Sequence, residues 1–290
     1  MNRIFDFSDY GALLALVHNS LYAGALLGLV GGLVGVFVVA RDLPFAVHGT
    51  SELSFAGGAA ALLLGANVVV GSLVGSVLAA VLFGVLGARA RDHNSAIGVL
   101  MPFGLGLGVL FLSLYEGRAA NKFGLLTGQI VAVDDPQLVA LAVISVVVVA
   151  TMLVLWRPLL FASLDPELAA ARGVPVRLLS PVFMLVLGLA VAMSVQIVGA
   201  LLVLALLVTP AAAAVRVSHS PFVVPLLSVA FALVAMVGGT LLALGSSIPI
   251  SPYVTTVSFA IYLLCRLVAR LRRPAERPGE PAPAQVAEVL

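Results

Sequence analysis

Residues 178–215 read LLSPVFMLVLGLAVAMSVQIVGALLVLALLVTPAAAAV and contain no charged side chain. As a single helix this stretch would be about 57 Å long, whereas the hydrocarbon core of a bilayer is about 30 Å thick. The stretch is therefore predicted to cross the membrane twice, with a turn near Ser194, Val195 and Gln196. Such a pair of spans indicates an integral membrane protein built from helices.

The composition of the whole chain also indicates a membrane protein. Of its 290 residues, 62% are hydrophobic and 10% are charged, and the mean hydropathy is +1.19. Soluble domains are about 45–50% apolar and about 25% charged, so a soluble enzyme is excluded. The net charge of +2 is too small to indicate a nucleic-acid partner. The phosphate-binding pattern G-x-x-x-x-G-K-[ST] is absent, so the chain is not expected to hydrolyse ATP alone.

Apolar runs of membrane-spanning length recur along the chain. We predict an all-α polytopic bundle of about eight to nine transmembrane helices, in a single domain over residues 1–273. The candidate spans are about 15–40, 44–65, 67–88, 95–115, 136–156, two within 178–215, 222–244 and 253–270. Residues 274–290 are rich in Pro, Ala and Glu and are predicted to form a disordered cytoplasmic tail.

Cytoplasmic loops carry an excess of Lys and Arg, which orients the bundle. If the loop 157–177 is inside and the spans alternate, all 15 basic residues except Arg3, Arg118 and Lys122 lie inside. The N-terminus is then outside and the C-terminus inside. The stretch 116–135 is predicted to be an external loop that dips toward the membrane. Close helix packing is predicted by glycines spaced by four in span one and by two in span four, with a pore wall or a hinge as the alternative. These glycines are Gly24, Gly28 and Gly32, Gly31 and Gly35, and Gly104, Gly106 and Gly108.

One ionisable pair lies at membrane depth. Glu52 is the only acidic residue inside a predicted span, and His48 precedes it by four residues, so both lie on one helix face. An ionisable group at this depth is costly and marks a substrate or ion path. Imidazole and carboxylate also suit zinc, manganese or iron. The alternative is a His–Glu hydrogen bond that only satisfies two buried groups.

The largest cytoplasmic loop contains a short helix with clear boundaries. Residues 163–177 read SLDPELAAARGVPVR. Asp165 can cap this helix, Pro166 suits its first turn, and Glu167 complements its positive end. Gly173 can close the helix and Pro175 prevents its continuation. The segment is either an ordinary connector or a docking surface for a cytosolic partner.

Five segments together resemble the membrane permeases of bacterial ABC importers for zinc, manganese and iron. The resemblance covers about residues 15–270, with the segments in the family's order. They are SELSFAGGAAALLLG at 51–65, SAIGVLMPFGLGLGVLF at 95–111, FGLLTGQIVAV at 123–133, LDPELAAARGV at 164–174 and VGALLVLALLVTPAAAA at 198–214.

The resemblance implies a type II-like ABC importer permease in the bacterial plasma membrane. Two copies would pair as a homodimer with two ATPase subunits, which would bind the ATP. An extracytoplasmic binding protein would deliver the metal, for which we expect zinc, with manganese or iron as alternatives. No cofactor would be permanently bound, and the chain itself would have no catalytic residues.

The resemblance also implies roles for individual residues. The family has D-x-x-x-H in span two, and here His48 takes the Asp position and Glu52 the His position. The pair is expected to contact the metal with its donor order exchanged. Within a coupling helix of about 163–174, the residues that match the family are Asp165, Glu167, Ala169 and Gly173.

Two other classes of membrane protein remain open. A proton- or cation-coupled secondary transporter would use Glu52 as its ion site, but it would leave the capped 163–177 helix unexplained. A purely structural membrane subunit would leave the buried pair unexplained. Co-purification of an ATPase distinguishes the importer from the secondary transporter.

Overall fold

The computed structural model describes residues 14, 17–86, 93–117, 124–125, 128, 133–244 and 250–272. Over these residues, ten helices can be followed from end to end and no strand occurs. The helices are α1 His18–Ala40, α2 Pro44–Leu63, α3 Val68–Leu86, α4 His93–Leu114, α5 Asp135–Leu164, α6 Pro166–Ala171, α7 Val176–Val198, α8 Ala200–Val217, α9 Val223–Leu244 and α10 Ile250–Arg272. The predicted all-α fold is confirmed.

The long helices match the predicted membrane spans. Nine of the described helices have 18 or more residues, and each coincides with one predicted span. Of these, seven are long and apolar enough to cross a bilayer. Helix α3 has a shorter apolar stretch over Val68–Phe83, and α2 contains the polar residues of the predicted site. The polytopic membrane fold therefore agrees with the spans predicted from the sequence.

Contacts between helix ends show the direction in which the helices run. At one end of the bundle, Arg41 after α1 donates a hydrogen bond of 2.6 Å to Ser180 near the start of α7. At the opposite end, Asn19 near the start of α1 donates to Asp135 at the start of α5, at 2.7 Å. Gln196 near the end of α7 donates to a carbonyl at the start of α3, at 3.2 Å. Helices α1 and α5 are therefore parallel and α7 is antiparallel to them, as the predicted alternation requires.

The turn between the sixth and seventh spans lies at Gly199 and not at 194–196, so the predicted position was wrong. Gly199 alone separates α7 from α8, and its φ of 80° is in the region that glycine adopts most readily. Ser194 stays helical and donates to the Ala190 carbonyl at 2.7 Å. The side chain of Gln196 is bound to α3. The polar residues that indicated a turn are thus satisfied within the helix or by a neighbouring helix.

Helix α5 extends beyond its predicted end near residue 156. It continues to Leu164 with Pro158 inside it, so the first part of the predicted loop 157–177 is helical. Its start is fixed by a capping box in which Asp134 accepts from the Gln137 backbone N–H at 2.8 Å and the Gln137 side chain accepts from the Asp134 N–H. Asp134 of the predicted external stretch therefore has a structural role.

Glycines bring α1 into close contact with two helices. A Cβ atom on Gly32 would lie 2.5 Å from the Val229 Cα of α9, and one on Gly35 would overlap the backbone of α8. Gly28 is also close to α9, with 3.1 Å from its added Cβ to the nearest backbone atom. The predicted close packing is confirmed at these positions. Gly106 in α4 is different, because open space surrounds it.

Some sequence predictions concern parts of the chain outside the described residues. These parts are the disordered tail 274–290, the basic residues Arg89 and Arg91 after the third span, and most of the external stretch 116–135.

Candidate functional site

His48 and Glu52 lie on one face of α2, as their spacing predicted. The His48 Nε2 atom is 3.7 Å from Glu52 Oε1. This distance is too long for a direct hydrogen bond. The Glu52 side chain is 4% exposed, whereas that of His48 is 31% exposed. The carboxylate is therefore enclosed, and the imidazole is partly accessible from the surface of the chain.

Two buried polar atoms of this pair have no protein partner. Within the described part of the chain, neither His48 Nδ1 nor Glu52 Oε2 has a hydrogen-bond partner. Buried polar atoms in proteins are almost always hydrogen-bonded, so such an exception needs a functional explanation. A pair that only satisfied itself would form a direct hydrogen bond, and the 3.7 Å between His48 Nε2 and Glu52 Oε1 is too long for one. The geometry therefore favours a site that receives a ligand.

The neighbouring hydroxyl groups do not serve this pair. Ser51 donates to the His48 carbonyl at 2.8 Å and Thr50 to the Ala46 carbonyl at 2.7 Å, both within α2. Ser54 donates across to the Ser72 carbonyl of α3 at 3.0 Å. The hydroxyl groups around Glu52 therefore donate to backbone carbonyls and not to the His48 or Glu52 side chains. The imidazole of His48 and the carboxylate of Glu52 therefore remain available as metal ligands.

Glycines of α3 and α4 hold the backbone of α2 in place around the site. A Cβ atom on Gly104 of α4 would lie 3.2 Å from the Glu52 carbonyl carbon, and one on Gly75 of α3 would overlap the Leu53 carbonyl. Gly108 of α4 similarly leaves room only for the ring of Phe55. Because two helices approach the α2 backbone this closely at Glu52 and Leu53, the backbone has little room to move beside the Glu52 carboxylate. Sequence analysis identified Gly104 and Gly108 but missed the role of Gly75.

The site offers two metal-binding groups from this chain. Among the described residues, no cluster of three or more His, Cys, Asp or Glu side chains exists. One imidazole and one carboxylate suit zinc, manganese or iron(II), but tetrahedral or octahedral coordination needs at least four ligands. The remaining ligands would come from water or from another chain.

The predicted cytoplasmic helix forms at the arginine-rich end of the bundle, as α6. Asp165 accepts a hydrogen bond from the Leu168 N–H at 2.9 Å and so caps the helix. Glu167 lies in the first turn, and Gly173 has a φ of 83° just beyond the helix end. The local structure predicted from these residues is confirmed, with the helix itself covering Pro166–Ala171.

The four family-matched residues of α6 have different surroundings. Ala169 is completely buried, so it attaches the helix to the bundle, whereas Asp165, Glu167 and Gly173 are exposed. Two large apolar side chains are exposed beside them: Leu164 is 77% exposed and Leu168 is 47% exposed. Sequence analysis missed both leucines, because in an apolar chain a leucine gives no sign of being on the surface. Apolar and acidic groups side by side are suited to protein docking.

Comparison with known proteins adds an independent finding. The profile of the ABC 3 transport family matches residues 14–269. The manganese import system permease protein ScaB of Streptococcus parasanguinis is 28% identical over 271 residues, covering 93% of this chain and 96% of the relative. The high-affinity zinc uptake system membrane protein ZnuB of Haemophilus influenzae is 24% identical over 250 residues, covering 86% and 96%.

Solved structures share the fold. One chain of PsaBC from Streptococcus pneumoniae, determined in complex with a Fab, superposes with a TM-score of 0.81 at 24% identity. The match covers 92% of this chain and 99% of that chain. A putative metal-chelate type ABC transporter in an inward-facing conformation matches with a TM-score of 0.66 at 21% identity, covering 88% and 86%.

Proposed function

The chain belongs to the ABC 3 transport family, and from this premise we propose that it is the membrane subunit of an ATP-driven importer for a divalent metal ion. It is a multi-pass bacterial membrane protein and a transport permease rather than an enzyme. Relatives named as manganese and zinc permeases support the class of cargo. The observation that carries the proposal is the buried His48–Glu52 pair with its two unpartnered atoms.

The pair would contact the metal ion as it passes. Neutral imidazole can donate a ring nitrogen to a metal, and ionised Glu52 would offset the charge of the cation in a low-dielectric path. The half-exposed His48 would meet the ion first, and the enclosed Glu52 would then complete the contact. Because this chain supplies only two groups, water or a second copy of the permease would supply the rest. A weakly held ion also suits transport, since the cargo must leave again.

The relatives are named for different metals, manganese and zinc. The family resemblance led us to expect zinc, whereas the manganese permease ScaB is 28% identical to this chain and the zinc permease ZnuB is 24% identical. A carboxylate suits manganese and an imidazole suits zinc, so the site contains one group suited to each. We propose that manganese and zinc are the two candidate substrates.

Helix α6 would transmit the conformational change that ATP hydrolysis causes in the ATPase subunit to the membrane helices. Its exposed Glu167, Leu164 and Leu168 form a small mixed surface at the predicted cytoplasmic end. The buried Ala169 fixes that surface to the bundle, so a force applied to α6 is passed to α5 and α7, which it contacts. We propose that an ATPase subunit docks here, with two copies for a permease dimer. An extracytoplasmic binding protein would deliver the metal at the opposite end.

Uptake in a strain that lacks its own manganese and zinc importers tests this function. The chain would be expressed with candidate ATPase and binding-protein partners from the same organism, and radioactive manganese or zinc would be supplied in turn. We expect uptake of at least one metal that stops when the ATPase carries an inactivating substitution. Uptake that continues without a working ATPase would identify a secondary transporter and would contradict the proposal.

A further inference from the structure

A basic cleft lies between the ends of α8 and α10, far along the chain from the pair on α2. Its volume is about 540 Å³, and its polar lining consists of Arg216, His219, Arg266, Arg270 and Arg272. Arg216 and His219 come from the end of α8 and the residues after it, and the other three from the last turns of α10. The two helix ends therefore direct four guanidinium groups and one imidazole to a common space.

Within the described residues, no carboxylate neutralises the positive charge of this cleft. None of the four arginines forms an ion pair with a described carboxylate, and the described residues that line the cleft include no Asp or Glu. All four are exposed. Four like charges in one cleft repel one another, so the arrangement is most stable when an anion occupies the cleft. Guanidinium groups bind phosphate in a two-pronged geometry, which makes a phosphate the best-suited anion.

The surroundings of the cleft are those of a lipid-binding site. It lies at the arginine-rich end of the bundle, where the head groups of the cytoplasmic leaflet are expected. Helix α10 also exposes four leucines close in sequence to the arginines of the cleft, namely Leu263, Leu264, Leu267 and Leu271. An apolar helix face that runs down to a cluster of basic groups fits acyl chains and a phosphate head group at once. A soluble anion or an acidic protein would use the arginines but not the leucines.

We propose that this cleft binds the head group of an anionic phospholipid, of the phosphatidylglycerol or cardiolipin type, in the cytoplasmic leaflet. The phosphate would lie among Arg216, Arg266 and Arg270, and the acyl chains would lie along the exposed leucines of α10. Because α10 packs against α8 and α9, a bound lipid would join the ends of two helices that the described chain connects by no ion pair.

Native mass spectrometry of the full-length purified protein tests the proposal. Cardiolipin, phosphatidylglycerol and phosphatidylcholine would be titrated separately into the detergent-solubilised protein. The double variant Arg216→Gln with Arg270→Gln removes two charges from the cleft. Arg172→Gln with Arg177→Gln is the matched control, because it removes the same charge from exposed positions at the same end of the bundle. Single variants at Arg216 and Arg270 serve if the double variant does not fold.

We expect cardiolipin and phosphatidylglycerol to bind and phosphatidylcholine not to bind. The cleft variant should weaken cardiolipin binding roughly 30-fold, since each basic residue near a membrane surface contributes about a fivefold effect. The control variant should stay within about threefold of the parent.

Three results would overturn the proposal. Equal losses in the cleft and control variants would show that only net charge matters. Displacement of cardiolipin by millimolar inorganic phosphate would identify a site for a soluble anion. Unchanged cardiolipin binding by the cleft variant, together with loss of the co-purifying ATPase subunit, would identify the cleft as a protein interface.

Discussion

Replacing Glu52 with Gln should separate metal transport from folding. The change keeps the shape of the side chain and removes its charge, while the backbone of α2 stays fixed between α3 and α4. A carboxylate and a divalent cation about 4 Å apart attract by about 8 kcal/mol at an effective dielectric constant of about 20. Dehydration of both groups offsets much of this energy. We expect transport to fall at least about 100-fold.

The stability of the protein should change little, because Glu52 makes no side-chain hydrogen bond to the described part of the chain that the substitution would break. Its Oε2 atom is unpartnered, and Oε1 is 3.7 Å from His48. Burying a neutral amide costs less than burying an unpaired carboxylate. The thermal unfolding midpoint of the purified variant should therefore equal or slightly exceed that of the parent. Loss of both transport and folded protein would show a structural role instead.

The assay is initial uptake of manganese and zinc, normalised to the amount of permease in the membrane. Ser51→Ala is the matched control, since it removes a polar group one residue away whose hydrogen bond stays within α2. It should keep most of the uptake. The double exchange His48→Asp with Glu52→His restores the usual order of the family and should recover part of the activity. A folded Glu52→Gln protein that transports at the parental rate would refute the reasoning.

Three further predictions concern other parts of the molecule. Glu167→Arg on the exposed side of α6 should reduce co-purification of the ATPase without changing the unfolding midpoint; intact association would contradict the docking role. Gly32→Ala should destabilise the protein by about 1–3 kcal/mol through overpacking against α9, whereas Gly106→Ala, which has open space, should not; denaturant unfolding compares the two. A cysteine at Glu116 should cross-link the extracytoplasmic binding protein, and cross-linking instead to the ATPase would reverse the predicted topology.

Helix positions could be predicted largely from the sequence, because a bilayer limits each span to a narrow range of lengths. The placement of His48 and Glu52 on one face of α2 was likewise predictable, because residues four apart in a helix lie on the same side. The turn at Gly199 could not be found from polarity, since Gln196 is satisfied by a hydrogen bond to α3 that only the tertiary structure provides. Likewise, the fifth span was predicted to end near residue 156, whereas α5 continues to Leu164.

The candidate site shows the same division. Residue types and spacing identified the metal-binding pair, and capping chemistry identified α6. The two unpartnered atoms of the pair, the exposure of Leu168 and the convergence of arginines from α8 and α10 each depend on which helices are neighbours. Sequence periodicity within one helix carries no information about the helix beside it. These features therefore required the structure.

The one-residue connection at Gly199 has a mechanical consequence. Helix α7 is about 35 Å long and begins close to α6, so it can act as a lever between the two faces of the membrane. A tilt of about 10° at its inner end would move Gly199 by about 6 Å, given that length. Because a single residue connects the two helices, α8 would have to move together with the end of α7. The hydrogen bond from Gln196 to α3 would then break and re-form each time α7 tilts.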